Sequence, residues 1–252
     1  MATLSRWEMN WLSWTPNCGA VADNADYIRL STLDATATAY SDGQLDDYGA
    51  AGLRWSPPLT LNVRARLAGE NGIHGTAGFG LWNDPGGSRL KRLALPRAVW
   101  FFYASPPSNL ALDSVVPGVG WLAMTFDAAR ARTLALLPFA PLGLLLMQVG
   151  WLRRALWPIA QWALGVRQMP LQVDPSVWHT YRIEWQPRRV AFWVDDGLVL
   201  ETPLSPRGPL GLVLWIDNQY AIVTPRGVVR GGLLDASGEQ WLDIADLQVT
   251  SE

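Results

Sequence analysis

The chain has 252 residues, enough for one large domain with a substantial core, and a formal net charge of −2. There is no basic run or patch, which argues against a nucleic-acid partner; Lys91 is the only lysine. Cys18 is the only cysteine, so no intrachain disulfide can form. The start, MATLSRWEMNWLSW, lacks a basic stretch followed by an apolar run, so no signal peptide is read and a cytoplasmic location is expected.

In chain order, residues 1–60 read as short strands and turns. Tyr27 to Leu30 is a strand candidate, and Ser41-Asp42-Gly43 reads as a turn. Leu59 to Leu67 alternates cleanly. Leu61, Val63, Ala65 and Leu67 lie on one face, and Asn62, Arg64 and Arg66 on the other, as in a half-buried antiparallel strand. Glu70 to Gly75 is a loop. Ala77 to Trp82 is a strand with two glycines, a sign that a ligand or another backbone comes close. Asn83 to Gly87 is a turn, Arg97 to Ala104 a buried strand, and Gly120 to Asp127 another.

Residues 128–168 break the pattern. Thr133 to Leu152 is twenty residues without a charge, flanked by Arg130, Arg132, Arg153 and Arg154. Its length would permit a membrane span, but Pro138, Pro141, Gly143 and Gly150 interrupt it. A single span would also leave the strands before and after it on opposite sides of a membrane. With the helical pattern of Ala155 to Leu164, the segment predicts a helical hairpin inserted between two strands. Either it caps the sandwich or a partner subunit, or it forms an interfacial anchor or lid with Arg, Trp151, Trp157 and Trp162 at the boundary.

After the hairpin, Trp178 to Gly197 reads WHTYRIEWQPRRVAFWVDDG. Tyr181 to Trp185 and Val190 to Val194 are rich in aromatic and β-branched residues, and Gln186 to Arg189 turns between them. Gly197 is expected to supply the positive φ of the next tight turn. Leu210 to Tyr220 reads as one long strand, Gly227 and Gly231-Gly232 punctuate a hairpin, and Gln240 to Thr250 closes the sheet.

The phrase from Trp178 resembles the W-H-x-Y-x-x-E-W…V-x-F-x-V-D-G hallmark of the concanavalin A-like sandwiches. It is most similar to that of the glycoside hydrolase family 16 (laminarinase-like) superfamily. The resemblance covers roughly residues 60–250, is specific at 178–197 and is weak before residue 60. It implies an all-β, two-sheet antiparallel jelly-roll sandwich occupying 1–252 as a single domain, with the apolar hairpin inserted at 128–168. It also implies that the strand at Leu59–Leu67 opens the catalytic sheet.

The family's chemistry needs paired carboxylates in the pattern E-x-D-x-(x)-E on one strand face. The six glutamates, Glu8, Glu70, Glu184, Glu201, Glu239 and Glu252, nowhere take that spacing, and Arg97 to Ala104, which should carry the motif, has no acid. Family 16-type hydrolysis is therefore not expected. There is no G-x-S-x-G, H-E-x-x-H or P-loop. No transition-metal site or other cofactor is expected. A structural calcium at Asp23, Asn24 and Asp26 or at Asp246 is an open alternative to ordinary turn chemistry.

A concave, aromatic-lined groove is the better candidate. Trp82, Asn83, Trp100, Tyr103, Trp215, Asp217 and Gln219 would line it, offering stacking surface and hydrogen-bond groups for a glycan or an amphipathic ligand. Against this, Trp100 and Trp215 could face the inter-sheet core instead. If the protein is an enzyme, His74 and Asp217 are the candidate acid/base groups. His179 reads as a structural histidine bonded to a neighbouring loop. Three readings remain: a non-hydrolytic binding protein, an enzyme with an unusual acid/base, and a structural subunit docked to a membrane or partner subunit through 133–164.

Overall fold

A computed structural model describes residues 2–5, 8–49, 52–87, 90–91, 93–110, 116, 118–224 and 228–251. Gly227 lies outside the described residues. Two large antiparallel sheets face each other, with strands numbered in chain order. The first contains, edge to edge, β14 (Gly197–Thr202), β13 (Arg189–Val194), β12 (His179–Gln186), β6 (Leu59–Gly69), β18 (Ala236–Ser251), β4 (Ile28–Ala35) and β3 (Gly19–Asp23), and β1 (Ala2–Ser5) also pairs with β18. The second contains β11 (Val166–Pro170), β10 (Gly120–Asp127), β8 (Arg97–Ala104), β7 (Thr76–Trp82), β15 (Gly211–Asp217), β5 (Asp42–Asp46) and β2 (Leu12–Trp14). A small third sheet joins β17 (Val229–Leu233), β16 (Gln219–Val223) and β9 (Asn109–Leu110). The expected all-β jelly-roll sandwich is the fold observed.

Alternation builds the core. On β6, Leu59, Leu61, Val63, Ala65 and Leu67 are buried. They meet Phe79, Leu81, Val99, Phe101 and Trp121 of the second sheet in one apolar layer between the sheets. Within it, Phe101 and Tyr181 have ring centroids 4.9 Å apart in an edge-on arrangement, and Trp121 Nε1 donates to Tyr181 Oη at 3.1 Å. The strand expected to open the catalytic sheet, β6, lies inside the first sheet, paired with β12 and β18.

Three further expectations change in detail. Asp42 begins β5 rather than a turn. The turn after β13 takes its positive φ at Asp195 (47°) and Asp196 (64°), not at Gly197. Two successive left-handed residues suit a hairpin turn, and Asp195 fixes the turn by accepting from Thr180 N at 2.9 Å. The long strand of 210–220 breaks at Asn218. Its buried amide donates to the carbonyls of Thr36, Ala39 and Leu234, and its Oδ1 accepts from Ser41 N. Serving four backbone groups, Asn218 turns the chain out of the second sheet and into the third.

Between β10 and β11 the chain forms α1 (Ala131–Leu136), a 3₁₀ turn (Leu137–Phe139), α2 (Ala140–Leu146) and α3 (Gly150–Leu164). The flanking strands pair directly, Phe126 opposite Val166, and Asp127 N donates to Gly165 O at 2.9 Å. The helical segment is therefore a long excursion from a hairpin whose ends meet. Residues 166–168, expected in the helical segment, belong to β11.

Candidate functional site

Strand register fixes what shares the outer face of the second sheet, the face turned away from the first. One row runs Gln44, Trp215, Gly78, Phe102, Leu122 across five strands, and the next runs Asp46, Val213, Gly80, Trp100, Met124. Trp82 lies one row beyond, opposite Ala98. The indoles form a contiguous strip: Trp82 stacks on Trp100 at 4.7 Å, and Trp100 lies 5.2 Å from Trp215 and 5.5 Å from Phe102.

The two glycines of β7 make room for this strip. A Cβ on Gly78 would lie 2.7 Å from the Trp215 ring, and one on Gly80 would lie 2.6 Å from Trp100 Cα and Cβ. The close approach that glycine in a strand signals is made by the β8 backbone at both positions, by Phe101 O at Gly78 and Val99 O at Gly80, and by the Trp215 indole at Gly78 alone.

Trp82, Trp100 and Trp215 are thus brought together as expected, on the outer face and not in the inter-sheet core. The face is not an open trough. Leu53, Leu90 and Val116, from loops, and Leu110 of β9 pack on the cluster that holds Tyr48, Phe102 and Trp215. Trp82 and Trp100 stay half-buried, while Phe102 and Trp215 are each only 7 % exposed.

Asp217 is on the same face, one row from Trp215. It accepts at Oδ1 from Thr76 N (3.1 Å), Thr76 Oγ1 (2.8 Å) and Gln219 N (2.9 Å). Trp215 Nε1 donates to the same Thr76 hydroxyl at 3.0 Å. Burial pushes the Asp217 pKa up to about 6, and the bonds from Gln219 and Thr76 only partly oppose it. Directly across the strand pair stands Asp42, also buried, whose Oδ2 accepts from Tyr40 Oη at 2.6 Å. Burial, and then the Asp42 charge, push the Tyr40 hydroxyl well above its ordinary pKa. Sequence reasoning missed Asp42 because Ser41-Asp42-Gly43 has the composition of a turn. It missed Gln44 with it, since both lie on β5, and it chose Tyr103 over Phe102 because the run Trp100-Phe101-Phe102-Tyr103 is aromatic on both faces.

The other expected residues lie elsewhere. Tyr103 points into the inter-sheet core, where burial raises its pKa; being one residue from Phe102, it takes the opposite face. Asn83 is fully buried and holds the next loop, donating to Leu95 O and accepting from Arg97 N. Gln219 is exposed at the start of β16, beyond the break at Asn218, and only its backbone reaches Asp217. His74 sits in the β6–β7 loop. Its backbone N donates to Gln240 Oε1, and its ring contacts Asn71 O at 3.2 Å.

His179 is structural, as read: Nδ1 meets Asp195 Oδ2 and Nε2 meets Asp174 O. Among the described residues, no three His, Cys, Asp or Glu side chains are grouped to hold a metal. Asp23 ends β3 opposite Ile28, and Asn24 and Asp26 lie in the β3–β4 turn, where Asn24 N donates to Tyr27 O. Exposed Asp246 lies 3.8 Å from an Arg64 nitrogen.

The outer-face positions of β8 are Ala98, Trp100, Phe102 and Ala104, and none carries a carboxylate. A cavity of about 390 Å³ lies away from the aromatic strip, at the root of the helical segment. Arg97, Arg130, Arg132, Arg207, Asp127 and Ser205 line it.

No family model and no curated protein matches the chain. Solved structures do. A Bacillus licheniformis β-glucanase matches at 10 % identity and TM-score 0.52, over 96 % of this chain and 92 % of that one. A β-1,3-1,4-glucanase (lichenase) from a mouse hindgut metagenome matches at 12 % identity and TM-score 0.52, with the same coverage of each chain. The Crh5 transglycosylase in complex with NAG matches at 10 % identity and TM-score 0.53, over 100 % of this chain and 84 % of that one.

The fold is the concanavalin A-like jelly roll. The resemblance read from Trp178–Gly197 holds at the level of architecture, and it extends to the residues before 60. Those residues supply β3, β4 and β5, which the hallmark does not reach.

Proposed function

We propose that this jelly roll binds a glycan against the aromatic strip on the outer face of its second sheet and does not hydrolyse it. The observation that carries the reading is the stacked Trp82–Trp100 pair, half-buried and flanked by Trp215. A pyranose ring presents an apolar C–H face to a flat indole, and its hydroxyls need polar partners at the rim. Half-buried Gln44 stands opposite Trp215, with exposed Trp14 beyond it. The fold is shared with a β-glucanase, a lichenase and a transglycosylase, which makes a glycan the first ligand class to test.

The positions of the acids support binding without hydrolysis. Glycosidic cleavage needs two carboxylates flanking the scissile bond. Along β8 the outward positions are apolar, and Asp42, Asp46 and Asp217 are buried and hydrogen-bonded to protein groups.

A second reading is favoured by one observation. Asp217, with its pKa raised to about 6, has the proton affinity of a general acid and faces a second carboxylate, Asp42. Its burial is the argument against it.

The test is a glycan array probed with the wild type and with Trp100→Ala. Signal from a defined set of oligosaccharides, lost in the variant while its circular dichroism is preserved, supports the proposal. Equal signal from both proteins refutes it.

A further inference from the structure

From Ala128 to Val173 there are forty-six residues with five arginines and neither an acid nor a lysine. The whole chain has twenty cations against twenty-two anions, so the rest carries fifteen against twenty-two. The helical segment and its flanking strand ends therefore carry a net positive charge, while the remainder of the chain is net negative. The same segment exposes large apolar side chains to solvent. Phe139 is 63 % exposed, Leu145 68 % and Trp151 69 %, and Leu142, Ile159 and Trp162 are each at least half exposed.

Inside, the helices are held to one another. Thr133 Oγ1 donates to Ala163 O at 2.6 Å, and Arg132 lies 4.4 Å from the Trp162 ring. The apolar face is thus displayed on an ordered support. At its root, the arginine cavity gathers Arg97, Arg130, Arg132 and Arg207 against the single acid Asp127, which already accepts from Ala129 N. Arg97 donates to Arg207 O, but Arg132 Nε is buried without an acceptor. Burial, and the repulsion of Arg130 and Arg167, lower the Arg132 pKa, so this group gains from a nearby anion.

We infer that this segment docks the protein on an anionic phospholipid surface. Its exposed leucines, Phe139 and tryptophans enter the boundary between headgroups and acyl chains, and the arginine cavity takes lipid phosphate. The charge pattern selects this occupant. A second copy docked through its own helical segment would place like charge against like charge, whereas an anionic bilayer complements it. Among the described residues, no helix is long and apolar enough to cross a membrane. α3, at fifteen residues, spans roughly 22 Å, short of a hydrocarbon core of about 30 Å. The docking is therefore interfacial.

Co-sedimentation of the full chain with phosphatidylcholine vesicles, with and without phosphatidylglycerol, tests this. The wild type is expected to pellet with the anionic vesicles and to be released by high salt. The pair Arg130→Gln and Arg132→Gln should weaken association at least about tenfold. A Phe139→Ser, Leu142→Ser, Leu145→Ser variant, whose changes lie at exposed positions, should abolish it.

Failure of the wild type to pellet overturns the proposal, as does equal pelleting with neutral vesicles. Sedimentation velocity without lipid supplies an independent check. A wild-type dimer that the serine variant converts to monomer would make a second copy the occupant and overturn the lipid assignment. Release by inorganic phosphate at an ionic strength where chloride has no effect would assign the cavity to a free anion and overturn it too.

Discussion

Trp100 lies directly across Gly80 on the neighbouring strand, so close that a single added methyl group on Gly80 would sit 2.6 Å from Trp100 Cα and Cβ. Gly80 also has φ +147°, a conformation that side chains rarely adopt. The aromatic strip therefore depends on a residue with no side chain. Gly80→Ala is expected to destabilise the fold by about 2–4 kcal/mol, measured by urea unfolding. The loss of Trp82–Trp100 stacking should appear in near-ultraviolet circular dichroism. A change within experimental error would remove the account of why β7 carries glycine there.

Asp217 sets a pH dependence whose sign follows from its raised pKa of about 6, against an ordinary 3.8. Between those values the unfolded chain has released the proton and the folded chain still holds it. This group's contribution is therefore fully present below about pH 3.8 and is lost as the pH rises through about 6. Asp217→Asn keeps an oxygen for Thr76 and Gln219 and removes the buried charge. It should flatten the stability profile across that window and leave the protein as stable as wild type or more so at pH 7, by up to about 3 kcal/mol. Thermal melts from pH 4 to 7 measure this, and a variant as steep as wild type would contradict it.

On the outer face of the first sheet, Asp243 has no exposed surface. It receives Arg29 Nε at 2.7 Å, Arg29 Nη2 at 2.9 Å and Arg66 Nε at 2.9 Å. Each arginine also packs over an indole, Arg29 on Trp241 and Arg66 on Trp178. Asp243→Ala strands both guanidiniums in place. Because both arginines are partly solvated, the expected cost is about 2–4 kcal/mol, below the limit for a fully buried pair. Denaturant titration checks it. Double substitution with Arg66→Met should recover part of the loss.

The ends of the helical excursion meet at the bond from Asp127 N to Gly165 O. Replacing residues 129–164 by an Asn-Gly turn should leave β10 paired with β11 and the sandwich folded. A dispersed amide NMR spectrum with strand-like shifts is the expected result. A collapsed spectrum would mean that the helices complete the core.

Much of this architecture was legible in the chain. The aromatic phrase Trp178–Gly197 gave β12, β13 and their turn, and the alternation at Leu61–Leu67 gave the buried face of β6. Trp100 and Trp215 were readable as a possible platform because residues two apart on a strand share a face. What was hidden depended on partners distant in sequence. The break at Asn218 is imposed by carbonyls at Thr36, Ala39 and Leu234, which no local pattern announces. Asp42 gained meaning only when β5 paired with β15. The loops that set Leu53 and Leu90 over the strip, with Leu110 of β9, turned an expected groove into a partly filled face. The positive φ assigned to Gly197 went to two aspartates because the Asp195 side chain bonds back to Thr180.

The central claim is that the outer face of the second sheet holds sugar and leaves its bonds intact. Isothermal titration calorimetry with an array-selected oligosaccharide, run beside a reducing-end assay on the same samples, tests it most directly. The account predicts saturable binding that Trp100→Ala weakens at least about tenfold, with no new reducing ends at any pH between about 4 and 8. Reducing ends that accumulate with the wild type and vanish with Asp217→Asn would contradict it.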